Sequence, residues 1–172
     1  MLALQEPPDG LIQPVIDGIV SSPNEWQNAG RCCVREGPDT LYSRSSPIRD
    51  LRYGSDDRNM YFRIDWREPA GPASPLELHL RLRTPAGSQF HVNALAESQG
   101  ASVVKMNLPE GAVTVASKDI YEMRISMEAL HLRRGDSLFV HLEIYRDGVP
   151  HFVLPPGSEL ELPWSMMAAY AV

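Results

Sequence analysis

Apolar and polar residues alternate with a period of two over much of this chain. Leu76-Glu77-Leu78-His79-Leu80-Arg81-Leu82-Arg83 does so without a break. That predicts a half-buried strand with the leucines on one face and Glu77, His79, Arg81 and Arg83 on the other. Phe90, Val92 and Ala94 alternate with Gln89, His91 and Asn93, and Leu138, Val140, Leu142 and Ile144 with Phe139, His141, Glu143 and Tyr145. Met60 to Trp66 keeps the period, and Tyr121 to Met127 keeps it less cleanly.

Turn chemistry falls between these segments. The chain has 15 prolines and 12 glycines, which divide it into short pieces. Arg146-Asp147-Gly148-Val149 predicts a tight hairpin, because Asp-Gly tolerates positive φ. Thr84 to Ser88 and Gly54 to Asn59 read as short loops. Met127 to Leu132 reads as a single helical turn. Eight or more strands of this kind predict an all-β fold, an antiparallel β-sandwich. Residues 14–172 form one domain in this reading, and residues 1–13 a linker or extended N-terminal segment.

The totals narrow the partners. The 172 residues suit one domain, with 43% hydrophobic and 22% charged residues as in ordinary globular chains. A net charge of −6 argues against nucleic acid, whose phosphates need a basic stripe. Among the cations only Lys105 and Lys118 are lysines. Cys32 and Cys33 are neighbours, too close for an unstrained bridge between them, so reduced thiols are expected, one of them buried. With no export signal and no membrane-length apolar run, a cytoplasmic location is expected, without membrane contact and with the chain open to being a piece of a longer one.

Four motifs stand in order: Ile16-Asp17-Gly18; Glu25-Trp26-x-x-Ala29; Tyr53-Gly54-x-Asp56-x-x-Asn59-Met60-Tyr61-Phe62-Arg63-Ile64-Asp65; and Glu122-Met123-Arg124-Ile125-Ser126-Met127 leading to Gly135-Asp136. Together they resemble the β-sandwich domains of carbohydrate-binding module family 9 and the wider DOMON-like group. The nearest likeness is to the C-terminal sandwich attached to glycoside hydrolase family 57 amylase-like enzymes, over residues 14 to about 164. The resemblance implies a jelly-roll type of sandwich, in which the Asp-Gly turn ends the first strand and Trp26 packs structurally at the sandwich edge. It implies a non-catalytic module that binds an α-glucan or related polysaccharide, or docks beside a glycoside hydrolase catalytic domain.

Family 9 modules hold a terminal sugar between two tryptophans, and Trp66 and Trp164 occupy the matching places in the chain. Trp66 shares its phase with Phe62 and Ile64, so it reaches a ligand only if the strand ends or bulges at Asp65. The polar face built from His79, Arg81, Arg83, His91 and Asn93 offers planar groups that suit sugar hydroxyls. The reading favoured for these residues is a solvated face laced with cross-strand charge pairs.

Other chemistry is thinner. His79, His91 and His141 with Glu143 are zinc-ligand types, but no spacing fixes them. Asp56, Asp57 and Asn59 could hold calcium through oxygens, yet the loop lacks EF-hand spacing, and a turn closed by local hydrogen bonds is expected. Some DOMON-like relatives bind haem b through a Met in the strand of Met60. Here Met60 falls in the apolar phase and no Cys-x-x-Cys-His site exists, so no haem is expected. Without a nucleophile elbow, phosphate loop or Rossmann glycines, the domain reads as non-enzymatic. The alternatives are a structural or interaction sandwich without ligand and, third, a haem-binding electron-transfer domain.

Overall fold

The computed structural model describes residues 3–34, 47–67, 72, 74–155 and 157–164. Twelve strands run along them: β1 (Ala3–Glu6), β2 (Gly30–Val34), β3 (Ile48–Ser55), β4 (Asn59–Trp66), β5 (Leu76–Arg83), β6 (Gln89–Glu97), β7 (Gly100–Met106), β8 (Val113–Ser117), β9 (Ile120–Ser126), β10 (Ser137–Arg146), β11 (Val149–Leu154) and β12 (Leu160–Pro163). They form two antiparallel sheets. The first has the order β1-β2-β3-β4-β9-β8; the second has the order β11-β10-β5-β6-β7, with β12 also on β10. The two strands share one edge of β10, β12 on residues 137–140 and β11 on residues 142–146.

The sheets face each other across one apolar core. Leu51, Phe62, Ile64, Tyr121 and Met123 of the first meet Leu78, Leu80, Val140, Leu142 and Leu160 of the second around an internal void of only about 20 Å³. Burying such side chains contributes roughly 1.5–3 kcal/mol each, so this seam holds the domain together. The all-β sandwich follows from the period-two pattern, and the 76–83 segment shows why. Its four leucines are buried while Glu77 and Arg81 are exposed and His79 and Arg83 half-buried. The Asp147-Gly148 turn has φ of 51° and 75°, the pair of positive angles that a two-residue hairpin requires. Met127 to Leu132 makes turns and no helix.

The N-terminal part is built into the fold. The stretch read as linker or extended segment contains β1, which pairs with β2, and Ile12, which is buried. Residues 11–16 form no strand; they lie over the outer face of the first sheet, where Ile12 N–H donates to Ser55 C=O at 3.1 Å and Ile120 N–H to Gly18 C=O at 3.1 Å. Trp26 accordingly packs on that face, beside Ile12 and Tyr61 in a second small core, and not at the sandwich edge. The structural role expected for it holds, with 2% exposure.

Glu122 fastens this cover. Its Oε1 accepts from Gly18 N–H at 2.8 Å and Asp17 N–H at 3.2 Å, and its Oε2 from the Trp26 indole N–H at 3.2 Å. Gly18 has φ +83°, and a Cβ there would lie 2.7 Å from Lys118 N; only glycine fits. The Asp-Gly and Glu-Trp motifs thus meet on one buried carboxylate contributed by the motif a hundred residues later. At Gly54 a Cβ would come within 2.7 Å of Ile12 Cδ1, so the Tyr-Gly motif makes room for the same cover.

Candidate functional site

Among the described residues, the outer face of the second sheet carries no covering segment. Its strands lay side chains in cross-strand rows: Glu143, His79, Asn93 and Lys105 in one; His141, Arg81 and His91 in the next; Phe139, Arg83 and Gln89 in the third. Over them lies a cleft of about 840 Å³, lined among others by His79, Arg81, Arg83, His91, Asn93 and Lys105, and walled on one side by Gly157, Ser158 and Glu159 between β11 and β12. With strands about 4.8 Å apart and outward residues about 7 Å apart along each strand, the floor measures on the order of 14 Å each way, a footprint for a short oligosaccharide.

Two halves of this floor differ. The half on β5 and β10 is internally paired. Glu143 accepts from Tyr145 Oη, from Arg81 Nη2 at 3.1 Å and from His141 Nε2 at 3.2 Å. The Tyr145 hydroxyl, with help from His141 and Arg81, holds the Glu143 carboxyl below its usual range, and the same bond raises Tyr145. The His79 ring stacks on Tyr145 at 4.5 Å between centroids. His141 Nδ1 also sits 3.1 Å from the Ser158 carbonyl; both its neighbours are acceptors, so the ring makes both bonds at once only with a proton on each nitrogen. Arg83 lies over the Phe139 ring at 4.2 Å and grips Glu159 with Nε and Nη2 at 3.0 and 2.9 Å. The loop wall is therefore tied to the floor at two points.

The half on β6 and β7 is unpaired. Among the described residues the side chains of Gln89, His91, Asn93 and Lys105 have no hydrogen-bond or ion-pair partner. They present an amide, an imidazole, a second amide and an ammonium to the cleft.

The sequence-predicted site residues divide cleanly. His79, Arg81, Arg83, His91 and Asn93 come together on this floor. Trp66 and Trp164 do not: both belong to the core, 4% and 6% exposed. The expectation that they sandwich a sugar is corrected. Ile48, Asp50 and their partners on β4 continue to the end of the strand, and the irregularity there falls on β3, between Ile48 and Asp50. Trp66 keeps its inward phase and meets Tyr121 edge-on at 6.4 Å. Trp164 donates its indole N–H to the Asp56 carbonyl at 3.1 Å.

Asp56 is a turn acceptor. Its Oδ1 takes Arg58 N–H at 2.8 Å and Asn59 N–H at 2.7 Å, and its Oδ2 takes the Tyr61 hydroxyl at 2.8 Å. Asp57 is exposed, and among the described residues no group of three His, Cys, Asp or Glu side chains converges as a metal site would need. Met60 and Cys32 are buried in the core; of Cys33 only the backbone is described.

Sequence reasoning missed Lys105, because counting by twos along Val103-Val104-Lys105 places it on the face of Val103. The pairing shifts between Asn93 and Ala94: Asn93 opposes Lys105 while Ala94 opposes Val103, leaving Val104 as an extra residue. This bulge resets the phase, turning Lys105 outward beside Asn93 and Met106 onto the core, as bulges near binding sites do. Nothing in a single sequence marks it. The chain was compared with protein-family models, with curated proteins and with solved structures, and none matches.

Proposed function

We propose that this chain is a non-catalytic carbohydrate-binding sandwich of the jelly-roll type, an accessory module beside a glycoside hydrolase, whose ligand lies in the cleft over β10, β5, β6 and β7. One observation carries the reading: a cleft floored by planar polar side chains from β5, β6 and β10 with Lys105 from β7, part of it with donors and acceptors not used within the described fold. Amides and guanidinium groups each meet two hydroxyls at once, and a rigid sheet spares the ligand the cost of ordering a loop. The paired half supplies a pre-set wall; the unpaired half supplies the contacts.

A second reading, a structural or interaction sandwich without ligand, is favoured by the burial of all three tryptophans, which leaves no indole facing the cleft. Calorimetric titration with a panel of soluble glucans, xylans and acidic oligosaccharides separates the two. Saturable binding that Asn93→Ala and Arg81→Ala abolish, with both variants folded, supports the module. A flat response from the folded protein across the panel leaves the structural domain standing. Tryptophan fluorescence is a poor readout here, because every indole is out of reach of a ligand in the cleft.

A further inference from the structure

We infer that the cleft takes an acidic sugar chain, one carrying uronate carboxylates, and not a neutral glucan. The inference rests on the carbohydrate reading above and sharpens its ligand. The chain as a whole carries −6, yet among the described residues its cleft is lined by three cations, Arg81, Arg83 and Lys105, against one lining carboxylate, Glu159. Positive charge gathered at one cleft of an acidic protein concentrates anions there and repels them elsewhere.

The distribution of partners points the same way. Glu159 occupies Arg83 through both Nε and Nη2, with three bonds, and Glu143 touches Arg81 through Nη2 alone. The Arg81 side chain is 66% exposed, and its other donors have no partner among the described residues. Lys105 has none at all there. The Val104 bulge is what turns Lys105 into the cleft, and it does so at one of only two lysines in the chain. Arg81 and Lys105 are rooted on the strands either side of β6 and one row apart, about 12 Å between them, and both side chains are long enough to meet one carboxylate above His91 and Asn93. The remaining hydroxyls of the sugar then fall to Asn93, Gln89 and the His91 ring.

The test is calorimetric titration of the intact chain with tetragalacturonate, maltotetraose and a tetraglutamate peptide, at low and raised salt, repeated with Lys105→Met. Lys105 is exposed on an edge strand, and thermal unfolding checks that the variant folds. Tetragalacturonate is expected to bind about tenfold more tightly than maltotetraose, as one charge-assisted contact predicts, to weaken with salt, and to lose about that factor in Lys105→Met. Maltotetraose binding as tightly as the uronate, unmoved by the substitution, overturns the acidic ligand and leaves the carbohydrate module intact. No sugar binding at all overturns both. Tetraglutamate binding as tightly as tetragalacturonate also overturns the inference, since the cleft would then be a general anion surface.

Discussion

The two outer faces of this sandwich start from the same material and end differently. Each is an antiparallel sheet surface bearing arginines and carboxylates. On the first sheet the carboxylates are buried: Asp50 under Arg31, Asp65 between Arg52 and Arg63, and Glu122 beneath Trp26 and the Asp17-Gly18 turn. Residues 7–29 cover part of that face, and β3 and β4 are buried on both sides for much of their length. On the second sheet no described segment lies over the floor, and Glu143 is held by Tyr145, Arg81 and His141. Glu77 and Glu159 stay at the surface, and β5 and β10 keep a wet side. A sheet face whose charges are sealed in is committed to stability. A face whose charges stay wet is available for a ligand at little cost to the fold.

Truncation should separate the faces most strongly at Trp26. Trp26→Ala removes a buried indole and strips Glu122 of one donor, an expected loss of about 3–5 kcal/mol in urea unfolding. Arg81→Ala on the open face should change stability by less than about 1 kcal/mol. Equal losses at the two sites would mean that the faces are energetically alike.

Glu122 gives the covered face a pH dependence opposite in sign to that of Glu143 on the open face. Burial pushes its carboxyl up from the ordinary 4.5 to about 7, against the pull of the Gly18, Asp17 and Trp26 hydrogen bonds. The folded chain therefore holds a proton that the unfolded chain has already released. The stability this supplies is full below about pH 4.5 and is lost as pH rises through 7, up to about 3 kcal/mol in all. Asp17, held below its usual range by the Ser21 hydroxyl, titrates under this window. Urea midpoints measured from pH 5 to 8 should fall in the native chain and stay level in Glu122→Gln. A level native profile would show that the hydrogen bonds outweigh burial.

Much of the open face was legible before any coordinates, because strict alternation on β5, β6 and β10 assigns each side chain to a face. His79, Arg81, Arg83, His91 and Asn93 were found that way. The covered face was not. Tyr61 alternates with Met60 and Phe62 and should face water, yet all three are buried, since a segment without strand pattern lies on top. Long-range docking of that kind leaves no period in the sequence. The same limit hid Lys105, whose phase is reset by one extra residue, and Ser158 and Glu159, whose place is set by where β11 and β12 share an edge. The tryptophans misled for the opposite reason: chain position suggested a platform where parity already placed Trp66 inside.

Tyr61→Phe probes the seam between cover and sheet. Burial first, and then the Asp56 carboxylate, push the Tyr61 hydroxyl up to about 12, so it stays a donor at any working pH. Asp56 keeps its bonds from Arg58 and Asn59 when the hydroxyl is removed, which limits the expected loss to about 1–2 kcal/mol by thermal unfolding. A loss near that of Trp26→Ala would mean that the Asp56 turn depends on the hydroxyl for its shape.

The smallest effect belongs to Glu159→Gln. The Arg83–Glu159 pair has three bonds, but both side chains are more than a third exposed, and exposed pairs contribute about 0–1 kcal/mol. The amide keeps one acceptor for the guanidinium, and the loop stays anchored through His141 to Ser158 and through β12 on β10. Stability should move by no more than about 0.5 kcal/mol in urea unfolding. Binding of an acidic oligosaccharide should strengthen by about twofold to tenfold, because Glu159 now competes with it for Arg83. If Glu159→Gln instead cost as much as breaking the cover at Glu122, the loop wall would be part of the fold's support. The second face would then be built like the first, and its cleft would be a by-product of packing.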